Sequence, residues 1–179
     1  LSARPRLPLL PVLPVPVGAL LGPRLFLPDG SALPCAIFVL ATAGTPLRLP
    51  AVPAADTVVP LRSLADRPVL RDALRGGGRL MLLGAGFIGA EVAASARTLG
   101  NEVLMVEAAP VPLARALGEE VGRLYAGIHS AHGVEVRTGT TVESGHTDSD
   151  RVNAVTVSDG RREAVELVRM SRGIDTDPG

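Results

Sequence analysis

The chain has no lysine, no tryptophan and a single cysteine among its 179 residues. One cysteine, Cys35, excludes an intrachain disulfide, a CxxC redox pair and a cysteine-based metal centre, and we interpret it as a small buried apolar residue. Acidic and basic residues balance at 18 each, and every basic residue is arginine. Without an excess of positive charge, the composition disfavours nucleic acid and anionic membranes as partners.

The chain also lacks an uninterrupted apolar run that could span a membrane. Its most apolar stretch, residues 7–21, contains four prolines, and each would remove a helix hydrogen bond. The same prolines disrupt a signal-peptide core, so we expect a cytoplasmic protein. Residues 1–23 follow neither helical nor strand periodicity and are expected to form a disordered arm. The chain begins with Leu1 rather than methionine, and we expect its natural start to lie upstream.

From residue 24 onwards, short apolar runs alternate with turn-forming residues, which is typical of an α/β protein. Apolar runs predict strands at 25–27, 36–41, 80–83, 103–106, 134–136, 152–157 and 165–170. Helical spacing predicts helices that begin near Asp66, Phe87 and Leu113. Asp159-Gly160 is a hairpin signal within the last group of strands. The order predicts a Rossmann-like, doubly wound parallel sheet with a small antiparallel β excursion.

The spacing of apolar residues also predicts which face of each helix is buried. The predicted faces are Leu70 and Leu74 in the first helix, Ile88, Val92, Ala96 and Leu99 in the second, and Leu117, Val121, Leu124 and Ile128 in the third.

One segment, residues 79–107, contains each part that pyrophosphate binding requires. Gly84 permits a tight exit from a strand, Gly86 lets the backbone approach the phosphates, and Gly89 permits close packing of helix and strand. The backbone N–H groups and the positive end of the following helix would then face the anion. Glu107 follows 23 residues after Gly84, at the end of the next predicted strand. The combination predicts a dinucleotide site.

Two carboxylates belong to this prediction. Glu107 is placed to accept hydrogen bonds from the ribose hydroxyls and would repel the extra phosphate of NADPH, so NADH is favoured; a solvated strand-end carboxylate is the alternative. The nearest candidate cation for a 2′-phosphate is Arg115. Glu91, in the first helical turns, would lie near a nicotinamide, or would serve only as a partner of the helix dipole.

Other reactive side chains do not form a recognisable site. His129 and His132 are three residues apart on a predicted helix, but no third ligand with suitable spacing follows, so we expect surface histidines and no metal site. Ser95, Tyr125 and His146 have no nucleophile-elbow or triad context. No residue of the chain is assigned a catalytic role.

The run GAGFIGAEVAASARTLGNEVLMVEAAPVPLARALGEEVGRLYAGIHSAHGVEVRTGTTVES resembles the NADH domain of ferredoxin reductase-like, FAD-dependent oxidoreductases of the pyridine nucleotide-disulfide oxidoreductase superfamily. Upstream, LPDGSALPCAIFVLATAGTPLRLP resembles the segment that closes the first half of the family's FAD domain. Together the two resemblances cover residues 25–178.

The resemblance implies residue roles. NADH would contact Gly84, Ala85, Gly86, Phe87, Ile88, Gly89, Glu91 and Glu107, with Thr42 near FAD and Gly173 near the nicotinamide. In the complete enzyme, hydride would pass from NADH to FAD, and electrons would pass on to an iron–sulfur acceptor such as a ferredoxin. The implied organisation is an arm at 1–23, a remnant of the FAD domain at 24–60 and the NADH domain at 61–179.

Several features depart from the family pattern. An N-terminal glycine fingerprint for FAD, the later Gly-Asp flavin contact and the C-terminal domain are not in the sequence, so we expect an incomplete and, alone, inactive chain. Arg169 and Arg172 interrupt the last predicted strand. The alternative function is a non-catalytic dinucleotide-binding remnant or regulatory module. A different Rossmann dehydrogenase is weaker, because no general acid–base pair supports it.

Overall fold

A computed structural model describes residues 19–21, 24–27, 29–34, 45–46, 48–61, 63–170 and 174–175. The chain divides into two compact units, residues 1–42 and 43–179. The expectations for residues 1–18 of the arm, for Cys35, for the strand at 36–41, and for Thr42, Arg172 and Gly173 lie outside the described residues. Residues 19–21 of the arm form a strand, so the expectation of disorder is wrong for them.

The first unit contains an antiparallel meander of strands β1 (Ala19–Leu21), β2 (Arg24–Phe26) and β3 (Ala32–Pro34). Between β2 and β3, the carboxylate of Asp29 accepts hydrogen bonds from the Ser31 backbone N–H at 2.9 Å and from its hydroxyl at 2.6 Å. These bonds lower the pKa of Asp29. The side chain therefore supports the turn that the Pro28-Asp29-Gly30 sequence predicts.

The strands of the second unit follow in chain order: β4 (Thr45–Pro46), β5 (Val58–Pro60), β6 (Arg79–Leu83), β7 (Glu102–Val106), β8 (Val134–Arg137), β9 (Val142–Asp148), β10 (Arg151–Val157), β11 (Arg162–Ala164), β12 (Leu167–Met170) and β13 (Ile174–Asp175). Its helices are α1 (Asp66–Arg75), α2 (Phe87–Thr98) and α3 (Ala114–Ala131). The short strands β4 and β13 pair with each other.

The central sheet is parallel and has the strand order β5-β12-β6-β7-β8. A second sheet, β11-β10-β9, is antiparallel. This arrangement confirms the Rossmann-like α/β class and the small antiparallel excursion. After their first residues, Arg79 and Glu102, the inner strands β6 and β7 are wholly apolar, as expected of strands that are covered on both faces.

Each face of the parallel sheet has its own core. On one face, Leu70 and Leu74 of α1 and Val92 and Ala96 of α2 pack against the sheet. On the other face lie three valines of β10, Val152, Val155 and Val157. The antiparallel sheet thus covers the face of the parallel sheet that a second layer of helices would otherwise cover, and it shields this face from water.

The structure corrects part of the predicted helix faces. Leu70 and Leu74 are buried as expected, but Ile88 and Leu99 are exposed. On α3 the entire predicted face is exposed, namely Leu117, Val121, Leu124 and Ile128. The non-helical Gly118 (φ 79°, ψ 171°) interrupts the helical spacing, and Gly122 contacts Val111 and Pro112 closely. The inner face of α3 is therefore the face that contains Gly122, because a residue without a side chain lets the segment of Val111 and Pro112 come close to the helix.

Strand β12 forms despite its arginine. Arg169 is only 1% exposed and pairs in register with Val59 of β5 and Leu82 of β6. Its Nη2 atom lies 3.4 Å from the carbonyl oxygen of Leu61, while Nε and Nη1 have no hydrogen-bond partner in the part of the chain that the structure describes. Burial lowers the pKa of this guanidinium. Arg169 is thus a cation inside an apolar layer.

Four charged side chains form a network beside the sheets. Glu163 of β11 accepts hydrogen bonds from Arg79 at 2.9 Å and from Arg137 at 2.6 Å. Glu135 accepts from the same two arginines. The network links β6 and β8 of the parallel sheet to the antiparallel sheet.

Candidate nucleotide-binding site

The glycine turn connects β6 to α2 at the carboxyl edge of the parallel sheet. Gly84 has φ 107°, a conformation that side chains with a Cβ rarely adopt, and its N–H donates to the Val106 carbonyl at 2.8 Å. Gly86 is the N-cap of α2, with φ −75° and ψ −177°. The sequence therefore forms the strand, turn and helix that its glycine spacing predicts.

The first turn of α2 is open to an anion. The first N–H groups of a helix have no intrahelical acceptor, and the helix dipole adds positive character there. No side chain caps Gly86, and the first turn contains no acidic residue. A Cβ built on Gly86 would meet no heavy atom within 4 Å, so the space beside its backbone is available to a ligand.

Gly89 contributes to packing. It lies buried on α2 with Ala90, Ala93 and Ala96, a set of small residues that lets the helix lie close to the sheet. Close packing keeps the beginning of α2 at the end of β6.

Glu107 follows β7 and joins two backbone segments. Its Oε2 atom accepts a 2.7 Å hydrogen bond from the backbone N–H of Ala85, and its Oε1 atom accepts a 2.9 Å bond from the N–H of Ala109. The side chain is half-buried. The carboxylate that is predicted to bind the ribose therefore lies directly beside the glycine turn.

A cavity of about 780 Å³ opens at this edge of the sheet, within the second unit. Four predicted site residues line it: Gly84, Gly86, Phe87 and Glu107. Sequence reasoning missed other lining residues, which are Leu49, Ala108, Ala109, Val111, Leu113, Thr140, Thr141 and Val142. For Thr140–Val142 the available signal was their position after β8, because neighbouring parallel strands end at the same edge. For Leu49 we find no such signal.

Arg115, near the beginning of α3, also lines the cavity and is exposed. The cavity thus presents one carboxylate, from Glu107, and one guanidinium. Apolar side chains, which include Val111 and Leu113, also line it. A planar group carrying a phosphate and a diol matches this combination of surfaces.

The structure does not bring all predicted site residues together. Ile88 and Glu91 line a separate cavity of about 290 Å³, between α1 and α2. Ala85 is buried and contributes its backbone N–H to Glu107. Thr42 and Gly173 lie outside the described residues.

The histidines take different positions. His129 is 8% exposed and its ring packs against Tyr125 at a centroid distance of 5.3 Å, so the expectation of a surface residue is wrong for it. Burial, and secondarily the nearby His132, lower the pKa of His129. His132 is exposed, with Nδ1 2.8 Å from the Ile128 carbonyl. The described residues contain no cluster of His, Cys, Asp and Glu side chains able to hold a metal ion.

The sequence matches the pyridine nucleotide-disulphide oxidoreductase family over residues 23–178. The chain belongs to this family. Its described strand–turn–helix unit with the glycine spacing, residues 79–98, is the part whose geometry fits a dinucleotide.

Named relatives of the chain are ferredoxin reductases. Putidaredoxin reductase of Pseudomonas putida is 37% identical over 157 residues, which are 84% of this chain and 37% of that protein. The ferredoxin–NAD(+) reductase subunit of a benzene 1,2-dioxygenase system, also from Pseudomonas putida, is 38% identical over 135 residues, covering 74% of this chain and 32% of the relative. The chain therefore spans about a third of the length of these relatives.

Two solved structures of ferredoxin reductases also resemble the chain. The ferredoxin reductase for the CYP199A2 system from Rhodopseudomonas palustris superposes with a TM-score of 0.74 at 35% identity, over 86% of this chain and 38% of the other. The reductase in a covalent putidaredoxin reductase–putidaredoxin complex gives a TM-score of 0.74 at 35% identity, over 85% and 38%. No helix among the described residues is long and apolar enough to cross a membrane.

Proposed function

We propose that the chain is the NADH-binding part of a cytoplasmic, flavin-dependent ferredoxin reductase. The observation that carries the proposal is the cavity in which Gly84, Gly86 and Glu107 meet at the beginning of α2. The N–H groups of the helix would bind the pyrophosphate, and Glu107 would accept hydrogen bonds from the adenosine ribose. Gly89 would act beneath the turn by holding α2 close to β6.

The charge of Glu107 supports a preference for NADH over NADPH. A 2′-phosphate would come close to this carboxylate, and like charges at short range repel. Arg115 lies on the same cavity and would be its only compensating cation among the lining residues. Ile88 and Glu91 line the cavity between α1 and α2, so a contact of these residues with the nicotinamide would form on that side of α2. Gly173 would lie near the nicotinamide and Thr42 near the flavin.

In the complete protein, FAD would accept hydride from NADH, and electrons would pass to an iron–sulfur protein. The names of the relatives support this part of the proposal, since they are ferredoxin reductases. What this chain supplies is the binding and orientation of the nicotinamide coenzyme. The domains would be 24–60 for the remnant of the FAD domain and 61–179 for the NADH domain.

Titration of the purified chain with NADH and with NADPH tests the proposal. We expect saturable binding of NADH, weaker binding of NADPH, and competition by ADP-ribose, which carries the pyrophosphate and adenosine. If the chain binds neither coenzyme, the proposed function is wrong.

A second measurement concerns the isolated chain. Because it spans about a third of its relatives, we expect it neither to retain FAD nor to reduce a dye with NADH. A yellow protein with NADH-dependent dye reduction would contradict that expectation. A non-catalytic nucleotide-binding module remains the alternative. Dye reduction that appears when an FAD-binding portion of a relative is added on a second chain would argue against it.

A further inference from the structure

Glu107 makes contacts that a ribose ligand does not require. Its two carboxylate oxygens accept hydrogen bonds from the N–H groups of Ala85, inside the glycine turn, and of Ala109, in the segment after β7. The carboxylate thus ties together the two chain segments that border the cavity. Both bonds have a charged acceptor and are therefore stronger than bonds between neutral groups.

The rest of the glycine turn has few other restraints of this kind. Gly84 is bound to β7 through the Val106 carbonyl at 2.8 Å, and the carbonyl of Ala85 accepts a longer bond from Leu113, at 3.3 Å. Gly86 has no neighbour within 4 Å on its Cβ side. The Ala85 N–H is consequently the point at which a side chain fixes the turn immediately before the first amides of α2.

We propose that Glu107 is a positioning residue for the glycine turn, through the Ala85 N–H, in addition to any contact with the ribose. This inference rests on the proposed function, because it concerns how the same site holds the pyrophosphate. A carboxylate has about four lone-pair positions, and the two amides use two of them. The ribose hydroxyls can therefore bind without displacing the Ala85 N–H.

A ligand without ribose hydroxyls separates two roles of Glu107, binding of the ribose and positioning of the turn. The affinity for NADH alone does not separate them. If Glu107 binds only the ribose, its removal has no effect on a ligand without ribose hydroxyls. If Glu107 also positions the turn, its removal weakens that ligand as well, because the amides that face the pyrophosphate are no longer held in place.

The experiment measures the affinities of NADH and of an NADH analogue whose adenosine ribose lacks both hydroxyls. The proteins are the wild type, Glu107→Ala, Glu107→Gln and the control Glu102→Ala, which removes an exposed carboxylate at the other end of β7. We expect Glu107→Ala to bind the analogue about tenfold more weakly than the wild type. Glu107→Gln, whose amide oxygen can accept from Ala85, should recover most of this loss, and Glu102→Ala should match the wild type.

A ligand-free measurement accompanies the titration. Amide hydrogen exchange at Ala85, followed by NMR, should be about tenfold faster in Glu107→Ala than in the wild type, with partial protection in Glu107→Gln. Unchanged exchange at Ala85, or unchanged affinity of Glu107→Ala for the analogue, overturns the inference. If the wild type binds neither ligand, the proposed function fails, and the exchange measurement still decides whether Glu107 holds the turn.

Discussion

The guanidinium of Arg169 lies 3.4 Å from the carbonyl oxygen of Leu61 and makes no other hydrogen bond with the described residues. Its neighbours in register, Val59 and Leu82, belong to the apolar core between the sheet and the helices. A buried cation that has no charged partner among the described residues costs desolvation energy that one long hydrogen bond does not offset.

Replacement of this cation should therefore stabilise the protein. We expect Arg169→Met, which has a similar length and no charge, to raise the free energy of unfolding by about 2 kcal/mol. Denaturant unfolding followed by circular dichroism measures the change. The matched control is Arg151→Met at the exposed start of β10, where we expect a change within about 0.5 kcal/mol. A destabilised Arg169→Met protein would contradict this expectation.

The glycine turn offers a variant that separates binding from folding. Because the space beside Gly86 is open and its backbone is extended, Gly86→Val should change the unfolding free energy by less than about 1 kcal/mol. The added methyl groups would occupy the position of the phosphates, so NADH affinity should fall at least about tenfold. Gly127→Ala, also on an open surface, is the control that should leave affinity unchanged. An unaltered NADH affinity in Gly86→Val would refute the site.

Coenzyme preference should depend on the two charges at the cavity. Glu107→Gln removes the negative charge and keeps the size of the side chain, so the ratio of NADPH affinity to NADH affinity should rise by about tenfold. In the double variant with Arg115→Ala this gain should disappear, since the remaining cation is lost. Isothermal titration of both coenzymes measures the ratios, and a constant ratio in all variants would exclude these residues as determinants of specificity.

The buried His129 gives a pH dependence with a definite sign. Its pKa in the folded protein is below the ordinary value of 6.5, so the folded state binds the proton less well than the unfolded chain. Its contribution to stability is complete above pH 6.5 and is lost as the pH falls through the folded pKa, with a slope of at most about 1.4 kcal/mol per pH unit. His129→Leu should lack this loss in unfolding curves measured from pH 7 downwards, while His132→Leu, at an exposed position, should retain most of it.

The network of Glu163 with Arg79 and Arg137 should stabilise the folded protein more than an exposed ion pair does, because Glu163 is buried. Glu163, which is bound to Arg79 and Arg137, is largely buried. We expect Glu163→Gln to lower the unfolding free energy by about 2 kcal/mol, and Glu119→Gln, which breaks an exposed pair with Arg123, to lower it by less than about 0.5 kcal/mol. Equal effects of the two variants on the denaturation midpoint would show that the network contributes no more than a surface ion pair.

The parts of the fold that were predictable from sequence are those that depend on local chemistry. The strand before Gly84, the helix after Gly86 and the position of Glu107 follow from backbone conformation and from apolar runs. The inner face of α3 was not predictable in the same way. Its apolar residues are spaced like a buried face, yet Gly122 is the residue that packs inwards, because contact with Val111 and Pro112 requires a residue without a side chain.

The candidate site was predictable to a similar extent. The turn and the carboxylate have a sequence signature, whereas the wall formed by Thr140–Val142 depends on which strand lies beside β7. Ile88 and Glu91 are adjacent to the turn in sequence but line the cavity between α1 and α2, because successive residues of a helix point in different directions.

The position of β12 has a consequence for how the chain reaches its native state. Strand β12 (Leu167–Met170) pairs on one side with β5 and on the other with β6. It therefore lies between two strands that are synthesised about a hundred residues earlier. During synthesis, the edges of β5 and β6 that pair with β12 would keep unpaired hydrogen-bonding groups until β12 is synthesised. Closure of the sheet is thus a late event, and a nascent chain that ends before β12 would expose edges able to pair with another molecule.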